Sequence, residues 1–96
     1  MAHSIYDVIL VNPELLGLFA GTLTTISFVP QVWRVWQRRS AADISLTMYL
    51  VFSAGLIGWL IYGLRIGSWS IVVANGVTLL LTVSVIAMKL AFSARQ

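Results

Sequence analysis

The sequence predicts an all-α membrane protein, a bundle of three spanning helices. Two observations carry this. The chain has 96 residues, 59% of them hydrophobic and 9% charged, against about 25% charged in an ordinary soluble domain. Its charges fall in four places, Asp7–Glu14, Arg34–Asp43, Arg65 and Lys89–Arg95. Between them lie uncharged runs of 19 residues (Leu15–Trp33), 21 residues (Ile44–Leu64) and 23 residues (Ile66–Met88). A spanning helix needs about 20. A soluble bundle of this size would need polar outer faces. Residues 1–96 therefore read as a single three-helix transmembrane unit.

The first run carries a proline near one end, in Leu23-Thr24-Thr25-Ile26-Ser27-Phe28-Val29-Pro30-Gln31. Proline donates no backbone hydrogen bond, and its ring crowds the carbonyl of Ile26. Such a break near one membrane face marks a candidate hinge at Pro30 and Gln31. Earlier in the run, Gly17 and Gly21 form a small-xxx-small pair, the signature of a close helix contact, within or between subunits. Thr24 and Thr25 lie nine to ten residues before Arg34, which is near mid-depth at about 1.5 Å per residue.

The second run carries a stripe: Met48, Phe52, Gly55, Trp59 and Tyr62, spaced by four, three, four and three, share one helix face. The third carries a polar stripe of Asn75, Thr78 and Thr82, which in lipid should look inward. With a turn centred on Gly67, Trp59 and Asn75 are each eight residues away, roughly 12 Å down. Two threonines, an indole and a carboxamide thus share one level. Each feature has a plainer reading. Aromatic stripes at helical spacing are more often packing than binding surface. Tyr49, Tyr62 and Trp69 could be interface anchors. Asn75 could simply bond across helices. Trp59 lies too deep for an anchor.

Charge sets the orientation. Arg34, Arg38, Arg39, Lys89 and Arg95 flank one side and Arg65 the other, so the positive-inside rule puts the N-terminus outside and the C-terminus inside. The N-terminus has no basic start and the first run no small-residue cleavage site, so no cleavable signal is expected. His3 reads as a solvated terminal residue. The chain has no cysteine, which excludes disulfides and thiolate metal sites. The basic residues have topology to explain them, and no nucleic-acid partner is expected. No acid, histidine or cysteine lies at mid-depth to build a catalytic or metal centre, so no enzyme, metal or cofactor is expected. Three helices enclose little. If the polar faces line a pathway, a parallel two-fold homodimer of six helices is implied.

The set Leu23-Thr24-Thr25-Ile26-Ser27-Phe28-Val29-Pro30-Gln31, Trp59-Leu60-Ile61-Tyr62-Gly63 and Ala74-Asn75-Gly76, with the basic stretch leading to Asp43-Ile44-Ser45-Leu46, resembles the bacterial SemiSWEETs. These are single-repeat relatives of the SWEET sugar transporters in the PQ-loop family. The resemblance covers nearly everything from Gly17 to Lys89. It implies a three-helix unit that dimerises in the inner (plasma) membrane and carries a mono- or disaccharide, glucose- or sucrose-like, by alternating access. It implies a sugar pocket at Trp59 and Asn75, to which depth adds Thr24 and Thr25. It also implies a hinge at Pro30, an outer gate at Tyr62 and Arg65, and an inner gate near Met48 and Phe52. Family outer gates can pair the arginine with an acid shortly after it; here Ile66-Gly67-Ser68 follows.

The residues suit a sugar. An indole can stack on its C–H face, and a carboxamide offers both donors and an acceptor to its hydroxyls. The spans hold no charge, whereas proton-coupled carriers usually need an intramembrane acid or histidine. Uncoupled facilitated diffusion is therefore expected. The sequence leaves two alternatives: a PQ-loop carrier of another small solute such as an amino acid, and a small structural or regulatory membrane subunit.

Overall fold

The computed structural model describes residues 12–94. His3, Asp7 and Arg95 lie outside the described residues. Three helices follow one another: α1 (Pro13–Arg38), α2 (Leu46–Ile66) and α3 (Trp69–Ala94). All three are long and apolar enough to cross a membrane, and there is no strand among the described residues.

Local chemistry sets the helix ends. Asn12 caps α1, its side chain accepting from the Leu15 N–H at 3.3 Å. Pro13 follows at the first turn, where a missing N–H costs nothing. Ser45 caps α2 through the Met48 N–H at 3.2 Å. Gly67, at φ 72°, closes α2 in the left-handed conformation that glycine adopts without strain. The turn expected at Gly67 is therefore the turn observed.

The helices overrun the uncharged runs. Arg34 and Arg38 lie in the last turns of α1, and Arg39 is its left-handed cap. A helix C-terminus favours cations, and long arginine stems let the charge reach water beyond the bilayer core. The Arg39 guanidinium lies 3.9 Å from the centre of the Trp36 ring. The Arg34–Arg39 side is called here the basic end, and the Gly67 turn the far end.

α3 lies in the middle. It packs against both α1 and α2, while the Cα atoms of α1 and α2 nowhere come within 8 Å of each other. The two ends are packed differently. The basic end holds a core of large side chains, with Val35, Ile44, Tyr49, Val85 and Phe92 buried together. There the Lys89 ammonium donates to the Ala41 carbonyl at 2.9 Å, fastening the 39–45 connection to α3. The far end is held by small residues. A Cβ on Gly17 would stand 2.7 Å from Ser70 Oγ, and one on Gly21 would run into the Ala74 side chain. The Gly17–Gly21 motif is thus the α1–α3 contact within one protomer. Beside it, the Glu14 carboxylate accepts from the Ser70 backbone N–H at 2.9 Å. A side chain of α1 therefore satisfies the first turn of α3, where N–H groups otherwise lack partners.

Gly21→Ile should lower the thermal unfolding midpoint in detergent, read by far-ultraviolet circular dichroism. Overpacking of this kind costs about 1–3 kcal/mol. Gly55→Ala, where an added Cβ meets nothing within 4 Å, should leave the midpoint unchanged or raise it.

Candidate functional site

Because α3 separates α1 from α2, a cleft of about 450 Å³ opens along its face. That is within the usual range for small-molecule pockets, about 300–1,000 Å³. Gly21 and Thr24 line it from α1, Phe52, Gly55 and Trp59 from α2, and Asn75 and Thr78 from α3. No charged residue is in the lining. Among the described residues, no three His, Cys, Asp or Glu side chains gather anywhere.

Each polar group has part of its capacity spent. Asn75 Nδ2 donates to the Ile71 carbonyl one turn back, at 2.9 Å. The carboxamide is anchored to its own helix rather than bonded across to a neighbour. One N–H and the carbonyl oxygen remain for a ligand. The Thr24 hydroxyl donates to the Ala20 carbonyl at 2.6 Å, which leaves its oxygen as an acceptor. The Trp59 indole is set by Tyr62, whose ring meets it edge-on at 5.6 Å and 84°. Trp59 is 54% exposed in the single protomer, so about half of the residue is open to a ligand or a partner. A shallower groove continues past Gly58 and Trp59 to Tyr62.

The two threonines part company. Thr25 faces α3, 2.9 Å from Thr78 Oγ1. Thr78 spends its own proton on the Ala74 carbonyl at 2.8 Å, so Thr25 is the donor between them. Thr25 is not among the cleft residues; it ties α1 to α3 behind the cleft wall. Thr82, on the same stripe as Asn75 and Thr78, is fully buried and bonded to the Thr78 carbonyl at 2.7 Å.

Toward the basic end, Phe52 stacks on Phe28 at 5.3 Å and 16°, and Phe28 meets Tyr49 edge-on at 6.4 Å and 81°. Tyr49 is 1% exposed, so it is no interface anchor; its hydroxyl donates to Gln31 Oε1 at 2.5 Å. These four side chains bridge α1 and α2 directly. Met48 stands apart, 57% exposed and outside the cleft lining. Pro30 sits within an α1 that is helical on both sides of it. Arg65 is in the last turn of α2 and exposed, three residues on from Tyr62.

Sequence reasoning missed Phe28 and the Tyr49–Gln31 pair. The signal was present: Thr24, Phe28 and Gln31 are spaced by four and three and share a helix face. The partner of that face is set by tertiary packing and cannot be read from spacing.

A family model described as PQ loop repeat matches residues 13–72. The chain is 46% identical over 79 residues to the sugar transporter SemiSWEET of Bradyrhizobium diazoefficiens, covering 82% of this chain and 92% of that one. Two solved structures have the same fold. One is a crystal structure of a bacterial homologue of SWEET transporters, at a TM-score of 0.79 and 32% identity, covering 83% of this chain and 96% of that one. The other is SemiSWEET in the inward-open conformation, at 0.77 and 35%, covering 85% and 88%.

Thr25→Val should lower stability by about 0.6–1.7 kcal/mol, the worth of an interhelical hydrogen bond in a membrane bundle. Thr25→Ser, which keeps the donor, should lower it less. Paired unfolding curves in detergent read the difference.

Proposed function

The chain belongs to the PQ-loop repeat family, in its SemiSWEET branch, and on that footing we propose that it carries a sugar across the membrane as a parallel homodimer. The observation that carries this reading is the uncharged cleft with a half-open indole on one wall and an anchored carboxamide on another. The indole presents an apolar face for the C–H face of a pyranose. Asn75 offers one donor and one acceptor to its hydroxyls, and Thr24 adds an acceptor. A neutral solute leaves no buried charge to compensate. A carrier of amino acids would need a partner for a carboxylate or an ammonium, and the lining has none.

The dimer follows from what one protomer leaves open. The α2 face bearing Met48, Trp59 and Tyr62 is about half exposed, although its polar cleft has no place against lipid. A two-fold axis along the membrane normal would set two such faces opposite each other. In that arrangement Tyr62 and Arg65 stand at the outer mouth and form the outer gate. Phe52 stands at the cytoplasmic floor, with Met48 beyond it, as the inner gate. Pro30 and Gln31 mark where α1 bends. The cell's inner membrane is the site of action, with the basic end cytoplasmic.

Transport is uncoupled in this reading. Nothing in the cleft lining takes up a proton, and no carboxylate is in that lining. The chain does no covalent chemistry; the solute leaves as it entered.

Trp59→Ala and Asn75→Ala should each cut sugar uptake into proteoliposomes at least about tenfold, or about 1.4 kcal/mol, while the protein still elutes as a dimer. Native uptake in either variant would remove the cleft from the pathway. Collapsing the proton gradient should leave the initial rate of downhill uptake unchanged. Accumulation against the sugar gradient that a protonophore abolishes would refute the uncoupled mechanism.

A further inference from the structure

Gln31 directly follows Pro30 in α1, and Tyr49 lies in the first turn of α2. The Tyr49 ring is buried in the basic-end core, where a phenol needs a hydrogen-bond partner. Gln31 Oε1 supplies it. One turn before Gln31, Phe28 lies edge-on to Tyr49 and flat on Phe52, which lines the cleft. A single polar bond thus fixes the ring layer beneath the cleft.

Pro30 stands between Phe28 and Gln31. Without its N–H, the backbone bond to Ile26 is missing, and α1 is least stiff there. On the far side of that point α1 is fastened to α3 by the Thr25–Thr78 bond and the Gly21–Ala74 approach. On the basic side Gln31 is fastened to α2. Both halves of α1 pack on α3, and the basic half adds a polar bond to α2.

We propose that Tyr49 and Gln31 are positioning residues for transport. Their hydrogen bond docks the basic-end segment of α1 onto α2 and holds Phe28 against Phe52 as the cytoplasmic barrier; it breaks when the cleft opens to that side. Neither residue lines the cleft, so the pair acts on the barrier and not on the solute. This rests on the alternating-access reading above, but not on which solute is carried.

The native chain has no cysteine, so Val51→Cys, at a cleft-lining position, reports access to a membrane-impermeant maleimide. Labelling is compared from the cytoplasmic face, in inside-out vesicles, and from the outer face. Tyr49→Phe keeps the ring and deletes the donor. Gln31→Leu keeps much of the volume and deletes the acceptor. A neutral hydrogen bond corresponds to an equilibrium shift of about 2- to 12-fold. Each variant should label faster from the cytoplasmic face by that factor, and no faster from outside. The double variant should match the quicker single. Native cytoplasmic labelling in a folded Tyr49→Phe protein overturns the proposal. So does a double variant whose effect is the product of the two singles. A rise from both faces also overturns it, because that is general loosening. If Tyr49→Phe fails to insert, Gln31→Leu decides alone. The assay needs no sugar, so a chain that carried another solute would still give the same labelling pattern.

Discussion

Everything in this protein depends on α3 standing between the other two helices. A three-helix unit in which all pairs touched would have a filled centre. Here α3 takes both contacts, and α1 and α2 are left apart with a groove between them. Lipid supplies no hydrophobic drive to close such a groove, so helix association relies on close approach and on hydrogen bonds. The far end uses both: Gly17 and Gly21 let α1 come up to α3, and Thr25 bonds to Thr78. The approach of α1 to α3 places Thr24 on one wall of the cleft. The α3 backbone, in turn, aims Asn75 from the back.

The packing asymmetry along the bundle gives that groove a direction. At the basic end the core is made of aromatic and branched side chains, and Phe28, Phe52, Tyr49 and Gln31 close the gap between α1 and α2. At the far end the contacts are glycine, serine and alanine against α3. A single chain therefore has a thick floor and thin walls. Opposite ends of one cleft can then respond to different parts of the structure, which alternating access requires.

Much of this was legible in the sequence because membrane physics leaves few choices. Charge placement gave the three spans, and the helix rise put Trp59 and Asn75 at one level on either side of Gly67. Both line the cleft. What could not be read was which neighbour a side chain meets. Thr24 and Thr25 share a depth, yet adjacent residues point about 100° apart on a helix; one faces the cleft and the other faces α3. Met48 fits the α2 stripe by spacing, but lies outside the cleft lining. Tyr49 is of a residue type common among interface anchors and is buried instead, because Gln31 can accept its hydrogen bond. The helix ends overran the uncharged runs because arginine and lysine stems extend a helix past the hydrocarbon core.

The contact of Glu14 with the Ser70 backbone has a consequence for how the protein is made. The N-terminal turn of α3 is completed by a residue 56 positions earlier in the chain. During synthesis the first two spans enter the bilayer before the third. They share no close backbone approach and meet through the side chains of the basic end. α3 then arrives by way of the short turn at Gly67 and pairs with α2, its neighbour in sequence. The amide of Ser70 then meets the Glu14 carboxylate of α1. The cap of the last helix made thus depends on the first. A ribosome-bound chain stalled before residue 69 would lack both the amide that Glu14 holds and the α3 wall of the cleft.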